Sequence, residues 1–192
     1  MSRPKPSIRI ENVVASVNLN QGIDLLSVVK ALPGAVEYKP EQFPGLVFRL
    51  RKPKTTTLIF SSGKMVCTGA RSSDLARKAV RRVVSELRTN GVLIVSKPDI
   101  QVQNIVASVN LGGKVDLERS TFTLGRTLYE PEQFPGLIFR MDEPRVVILI
   151  FASGKLVCTG AKREQEVTDA VDKLKQVLED EQLIYYEEGS VA

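Results

Sequence analysis

The chain has 192 residues, 43% apolar and 26% charged, enough to bury a core of ordinary size and to exclude disorder by composition. No apolar run approaches the ~18 residues that span a bilayer, the N-terminus carries no signal-peptide core, and histidine is absent, so the sequence points to a soluble intracellular protein without the commonest general base or metal ligand. The net charge of +5 hides a division: residues 1–91 hold 16 Lys/Arg against 6 Asp/Glu, a net +10, whereas residues 92–192 hold 11 against 16, a net −5. A basic half attracts polyanions.

In chain order, Ile8 to Asn18 is rich in Val and Ile and reads as a strand. A short helix is expected around Gln21 to Ala31 and a short strand near Ala35 to Tyr38. Strands over Gly45–Arg51, Thr55–Ser61 and Lys64–Gly69 follow, the last two joined at the Ser62-Gly63 turn signal. Asp74 to Arg88 reads as a long helix, with Ser72 or Ser73 as N-cap and Gly91 just past its end. Its apolar residues Leu75, Ala76, Ala79, Val80, Val83 and Leu87 recur at helical spacing, so one face lies on the sheet.

The chain then repeats itself. Pro40–Arg49 returns as Pro131–Arg140 with one change in ten positions, and Leu58–Ala70 returns as Leu149–Ala161 with two changes in thirteen. Both pairs are offset by 91 residues, while Asn12–Leu19 returns as Asn104–Leu111 at an offset of 92, because the following stretch of the second copy is one residue shorter. The second long helix carries Val167, Ala170, Val171, Leu174, Val177 and Leu178. Two copies are too few for a solenoid and suit a pseudo-twofold body that offers one surface twice. The expected fold is α+β: two pseudo-symmetric repeats, residues 1–92 and 93–183, forming one curved antiparallel sheet with helices on one side, followed by an acidic flexible tail at 184–192. Cys67 and Cys158 occupy equivalent places; a disulfide is open on sequence alone, and buried free thiols are the reading for an intracellular chain.

An antiparallel sheet covered on one face normally shows water a polar second face. Here both phases of the strands are apolar. If Val13, Met65 and Cys67 face the helices, the other face carries Val14, Leu58, Phe60, Val66 and Thr68, doubled by Val106, Leu149, Phe151, Val157 and Thr159. So large an exposed apolar surface marks a binding site. The alternative is a buried second layer, for which no unassigned element remains. Arg49, Arg140, Lys64 and Lys155, with Ser62 and Ser153 in turns, would form two phosphate rails around this floor. Asn12 and Asn104 can donate to the acceptors of A·T pairs in a minor groove, and the valines and threonines would exclude the guanine amino group. A sheet that binds an apolar ligand or a protein is the second reading. An enzyme is the least favoured, because no duplicated carboxylate pair sits on the open face.

These blocks, Asn-(Val/Ile)-Val-Ala-Ser-Val, Phe-Pro-Gly-Leu-(Val/Ile)-Phe-Arg and Ile-Phe-(Ser/Ala)-Ser-Gly-Lys-(Met/Leu)-Val-Cys-Thr-Gly-Ala, each present twice, strongly resemble the TATA-box-binding protein family over residues 7 to 183. The resemblance implies a saddle of ten antiparallel strands with four helices on its convex face, acting in transcription initiation without a cofactor or metal. It places intercalating phenylalanines on Phe43 and Phe60 and on Phe134 and Phe151, and central readers on Asn12, Val14, Val66, Thr68, Asn104, Val106, Val157 and Thr159, with Leu58 and Leu149 completing the floor. It also implies archaeal transcription factor B at Glu130, Glu132 and Gln133, RNA polymerase in the initiation complex, and a cytoplasmic, nucleoid-associated location. The duplicated Phe-Pro-Gly and the acidic tail resemble archaeal members. The long helices diverge on their outer faces, where Arg77, Lys78, Arg81 and Arg82 correspond to Thr168, Asp169, Asp172 and Lys173. Other regulators are therefore expected on the basic helix 74–88.

Overall fold

The computed structural model describes residues 3–187. The first copy runs β1 (Ser7–Asn18), α1 (Leu25–Ala31), β2 (Val36–Glu37), β3 (Leu46–Arg51), β4 (Lys54–Ile59), β5 (Lys64–Ala70) and α2 (Ser73–Thr89). The second runs β6 (Asp99–Asn110), β7 (Lys114–Val115), α3 (Leu117–Thr123), β8 (Thr127–Leu128), β9 (Leu137–Met141), β10 (Val146–Ile150), β11 (Lys155–Ala161), α4 (Glu164–Asp180) and β12 (Ile184–Tyr185). Ten strands form one antiparallel sheet in the order β2-β3-β4-β5-β1-β6-β11-β10-β9-β8, with four helices, which is the expected fold class. No helix among the described residues is long and apolar enough to cross a membrane.

Glu11–Asn104 forms one compact unit, and the chain on either side of it forms the other. The division between these compact units falls inside β1 and β6. These strands have twelve residues each, ~40 Å at ~3.3 Å per residue.

Within the Glu11–Asn104 unit, strict alternation sorts the strands. Val13, Ala15, Val17, Leu46, Phe48, Ile59, Met65 and Cys67 are buried. They share the core with Ala76, Ala79, Val80, Val83 and Leu87 of α2. In the other unit Ile105, Ala107, Val109, Leu137, Ile148, Ile150, Leu156 and Cys158 share theirs with Val167, Ala170, Val171, Leu174 and Leu178 of α4. Each fully buried Leu or Ile contributes about 2 kcal/mol by leaving water. Leu75 and Val177, expected on the buried stripes, are instead 37% and 38% exposed. At ~100° per residue each stands beside a buried neighbour, Ala76 or Leu178, but beyond the edge of the stripe.

The ends of the long helices are made by local chemistry. Ser72 accepts from the Leu75 N–H at 3.0 Å and so settles the N-cap of α2. In α4 Arg163 holds that place, and the Glu166 carboxylate reaches back to the Arg163 N–H at 3.0 Å. Past the C-termini the chain turns left-handed, at Gly91 with φ 87° and at Gln182 with φ 56°. The first short helix starts at Leu25, later than the expected Gln21. Asp24 caps it, accepting from the Leu26 N–H and the Ser27 hydroxyl, and residues 21–24 are spent on the turn before it.

The tail expected to be flexible from residue 184 begins instead as β12, which pairs with β7 through Ile184↔Val115 and Tyr185↔Lys114. Ile184 is buried, which gives this segment an apolar anchor despite the acidic residues around it. Glu187 meets Lys114 at 3.1 Å. Glu188, also assigned to that tail, lies outside the described residues.

Candidate nucleic-acid interface

In each unit the strand residues that alternate with the buried ones form an open, largely apolar face. Across β3, β4, β5 and β1 the register sets Val47, Leu58, Val66 and Ser16 side by side. Across β9, β10, β11 and β6 it sets Ile138, Leu149, Val157 and Ser108 side by side. These aliphatic residues are neither buried nor fully exposed. One step along each strand pair lie Arg49, Thr56 and Thr68 in the first unit and Arg140, Val147 and Thr159 in the second. In the opposite direction Lys64 stands across from Asn18, and Lys155 across from Asn110.

Val47 and Ile138 complete the central rows and were not singled out from the sequence. Each sits between two buried residues, Leu46 and Phe48 or Leu137 and Phe139. Three consecutive apolar residues conceal the strand phase, and only the pairing with Leu58 or Leu149 reveals it.

A bulge positions Asn12 in the first unit. Between Val13↔Ala70 and Ala15↔Cys67 the register of β1 against β5 slips, and Gly69 takes φ 102°. Its N–H then donates to Asn12 Oδ1 at 2.7 Å, while Asn12 Nδ2 donates to Thr68 Oγ1 at 3.1 Å. These bonds fix which way the amide points and leave Nδ2 a second hydrogen to offer. Val14 lies inside the same bulge. The second unit repeats the slip between Cys158↔Ala107 and Ala161↔Ile105, with Gly160 also at φ 102° and Val106 and Thr159 at the matching places, and Asn104 precedes the slip on β6 as Asn12 does on β1.

At one end of each face stands a pair of phenylalanines. Phe43 and Phe60 meet edge-to-face with ring centroids 5.9 Å apart at 69°, and Phe134 and Phe151 do so at 5.9 Å and 68°. Phe43 is 41% exposed and Phe134 37%. The glycine of each Phe-Pro-Gly is the seat of the pair. A Cβ on Gly45 would lie 2.6 Å from Phe43 Cε1 and 3.0 Å from Phe60 Cε1, and on Gly136 2.8 and 3.0 Å from the corresponding atoms. The partner ring leaves its strand in a tight turn, where the Phe60 N–H donates to the Lys64 carbonyl and the Gly63 N–H to the Phe60 carbonyl, both at 2.9 Å. Phe151, Gly154 and Lys155 repeat these bonds. Ser62 and Ser153 are exposed in these turns beside Lys64 and Lys155.

The rims are less symmetric. Arg49 is exposed and its Nη1 lies 3.2 Å from Glu37, which also holds Lys39 at 3.1 Å and is kept below the usual carboxylate range by the bonds from Lys39 and Arg49. At the place of Glu37 the second copy has Leu128, and there Arg126 is paired to Asp142 at 2.8 Å, while among the described residues Arg140 has no ion pair. Glu130, Glu132 and Gln133 are exposed in the turn before β9, where the Gln133 and Phe134 N–H groups both donate to the Glu130 carbonyl. Cys67 and Cys158 are free and fully buried, and burial pushes their thiols up, Cys158 to about 11. Among the described residues no group of His, Cys, Asp and Glu could hold a metal ion.

Residues 7–90 and 99–180, the two copies in turn, match the family model described as transcription factor TFIID, or TATA-binding protein. The chain belongs to the TATA-binding protein family. It is 55% identical to the TATA-box-binding protein of Pyrobaculum calidifontis over 98% of this chain and 94% of that protein. With the TATA-box-binding protein of Pyrodictium occultum it shares 58% over 91% of this chain and 87% of that one. The solved Methanococcus jannaschii TBP superposes with a TM-score of 0.82 at 45% identity, covering 91% of this chain and 99% of that one. The family is one of general transcription initiation factors, not of enzymes.

Proposed function

We propose that the open faces of the two units bind A·T-rich promoter DNA through its minor groove. The observation that carries this reading is the seating of a phenylalanine pair, one ring exposed and one half-buried, on a glycine at the end of each apolar row. A rigid aromatic wedge next to a flat aliphatic floor is suited to unstack a base step and press on the sugars and base edges beyond it; this family is the type case of such wedges. Phe43 and Phe60 wedge one end of the site, Phe134 and Phe151 the other, and the duplex bends away from the protein. Asn12 and Asn104 donate to base acceptors, and Val14, Leu58, Val66, Thr68, Val106, Leu149, Val157 and Thr159 leave no room for a guanine amino group. Lys64 and Arg49 flank the first floor four residue steps apart, ~13 Å along the strands, so each can meet a different phosphate rail; Lys155 and Arg140 do the same in the second. Ser62 and Ser153 add hydroxyls to that rail.

The bound complex then recruits transcription factor B through Glu130, Glu132 and Gln133, and RNA polymerase after it, in the nucleoid of the cell. A gel shift tests the reading. A short TATA-containing duplex is retarded, a G·C-substituted duplex of equal length binds at least ~100-fold more weakly, and both complexes weaken as salt rises. Equal affinity for the two duplexes would overturn it and favour an apolar-ligand sheet with an incidental basic rim.

A further inference from the structure

The outer faces of α2 and α4 carry opposite charge on the same scaffold. Both helices have 17 residues, and they bury equivalent positions: Ala76/Val167, Ala79/Ala170, Val80/Val171, Val83/Leu174 and Leu87/Leu178. Their exposed positions are therefore also equivalent. Lys78, Arg81 and Arg82 stand where α4 has Asp169, Asp172 and Lys173. Over its length α2 holds five cations against two carboxylates, and α4 two cations against six carboxylates.

Little within the chain neutralises these stripes. Among the described residues Lys78, Arg81 and Asp172 have no ion-pair partner. Arg82 meets Glu86 only at 3.7 Å, exposed to solvent, and Asp169 accepts from the neutral amide of Gln165 at 2.9 Å. Of the two cations of α4, Lys173 donates to the Glu143 carbonyl and is drawn toward the β9–β10 hairpin, and Lys175 is engaged by Glu179 at 3.5 Å and by the Pro4 carbonyl at 2.9 Å.

We propose that the basic face of α2 docks on the acidic face of α4 of a second copy of this chain. Positions three apart lie on one side of a helix, so Lys78 and Arg81 match the axial spacing of Asp169 and Asp172. With the helices antiparallel, Lys78 meets Asp172 while Arg81 and Arg82 meet Asp169. A shared scaffold supplies both the spacing and the complementary charge, which favours a second copy over an unrelated acidic segment. The contact joins different surfaces of the two molecules, so it propagates head to tail rather than closing as a symmetric dimer. Exposed pairs are individually weak, and the dissociation constant is expected on the order of 0.1–1 mM and to rise with salt.

Sedimentation equilibrium of the full chain tests this without DNA, so its result is separate from that of the gel shift. At about 0.5 mM protein and about 10 mM salt, where charges are felt over ~30 Å, the weight-average mass exceeds the monomer's by at least about 1.7-fold and falls to the monomer's at about 300 mM salt. Lys78→Glu/Arg81→Glu makes both stripes acidic and Asp169→Lys/Asp172→Lys makes both basic. Each variant alone stays monomeric while an equimolar mixture associates, and that restored association also shows that both variants are folded. A wild-type mass that stays monomeric at low salt overturns the proposal, as does association that survives both reversals and so arises elsewhere. Unchanged association with weakened duplex binding in the Lys78→Glu/Arg81→Glu variant would assign the face to DNA and overturn it too.

Discussion

Near the end of α2 stands Arg88, and at the equivalent place in α4 stands Glu179; opposite charges there do the same work. Arg88 donates from Nε to the Ile94 carbonyl at 2.9 Å and from a terminal nitrogen to the Ser96 carbonyl at 3.0 Å, holding the segment that follows its helix. Glu179 accepts from the Tyr186 hydroxyl at 2.6 Å and from Arg3 and forms an ion pair with Lys175 at 3.5 Å, and Lys175 in turn donates to the Pro4 carbonyl. It thereby holds both the segment after α4 and the start of the chain. On the open face the two copies keep the same Phe pair, the same glycine seat and the same left-handed bulge glycine. A helix end needs only some bond to the chain leaving it, and either charge can supply one when the target is a carbonyl or a donor. The open face, kept in one form by both copies, shows no such freedom.

The sharpest way to break the comparison is to remove one wedge from each copy. Phe60→Ala and Phe151→Ala are each expected to weaken A·T-duplex binding about 30-fold, about 2 kcal/mol, with folding intact by circular dichroism. A loss confined to one copy would show that the symmetric face is used asymmetrically. The seat should matter almost as much. Gly45→Ala and Gly136→Ala push a Cβ to within 3 Å of an aromatic ring, and denaturant titration is expected to show each losing about 1–2 kcal/mol, with reduced duplex affinity from the displaced rings.

The helix ends should differ in their response to acid. Burial acts to raise the Glu179 carboxyl, but the Tyr186 hydroxyl, Arg3 and Lys175 outweigh it and hold the group below 4.5. A carboxylate held low in the folded state stabilises above its unfolded value, and that contribution disappears as pH falls through the lowered one. The clasp of the N-terminal segment should therefore loosen below about pH 4.5, while the Arg88 contacts do not titrate there. Hydrogen exchange of β12 and the end of α4, followed from pH 6 to 3, should show this, and Glu179→Gln should abolish the pH dependence at a cost of about 1 kcal/mol at neutral pH. The smallest effect lies on the rim. Arg140→Ala is expected to weaken duplex binding a few-fold and Arg49→Ala less, because Arg49 is already shared with Glu37. Glu37→Gln should bring the two substitutions level in a gel shift.

Much of this was legible in the chain itself. The strand and helix boundaries from Gly45 to Thr89 follow from turn residues and apolar period, and duplication transferred every assignment to the second copy. Choosing Val13, Met65 and Cys67 for the helices set the phase of the open face, and with it the places of Asn12, Val14, Leu58, Phe60, Val66 and Thr68. The phenylalanines singled out by repetition do stand as two matched pairs, one per unit.

What the chain could not reveal depends on groups distant in sequence meeting at close range. The strand phase of Val47 is hidden in an unbroken apolar run and is fixed only by its register against Leu58. A glycine in Phe-Pro-Gly signals a turn, but that it seats two rings depends on Phe43 and Phe60 converging on it. The opposed stripes of α2 and α4 were readable as residue types, whereas their freedom from internal neutralisation required the folded surface. Periodicity and duplication are local or translational properties of a sequence and survive in one dimension. Seats, clasps and unpaired charges are properties of contact, and contact is decided only when the chain has closed on itself.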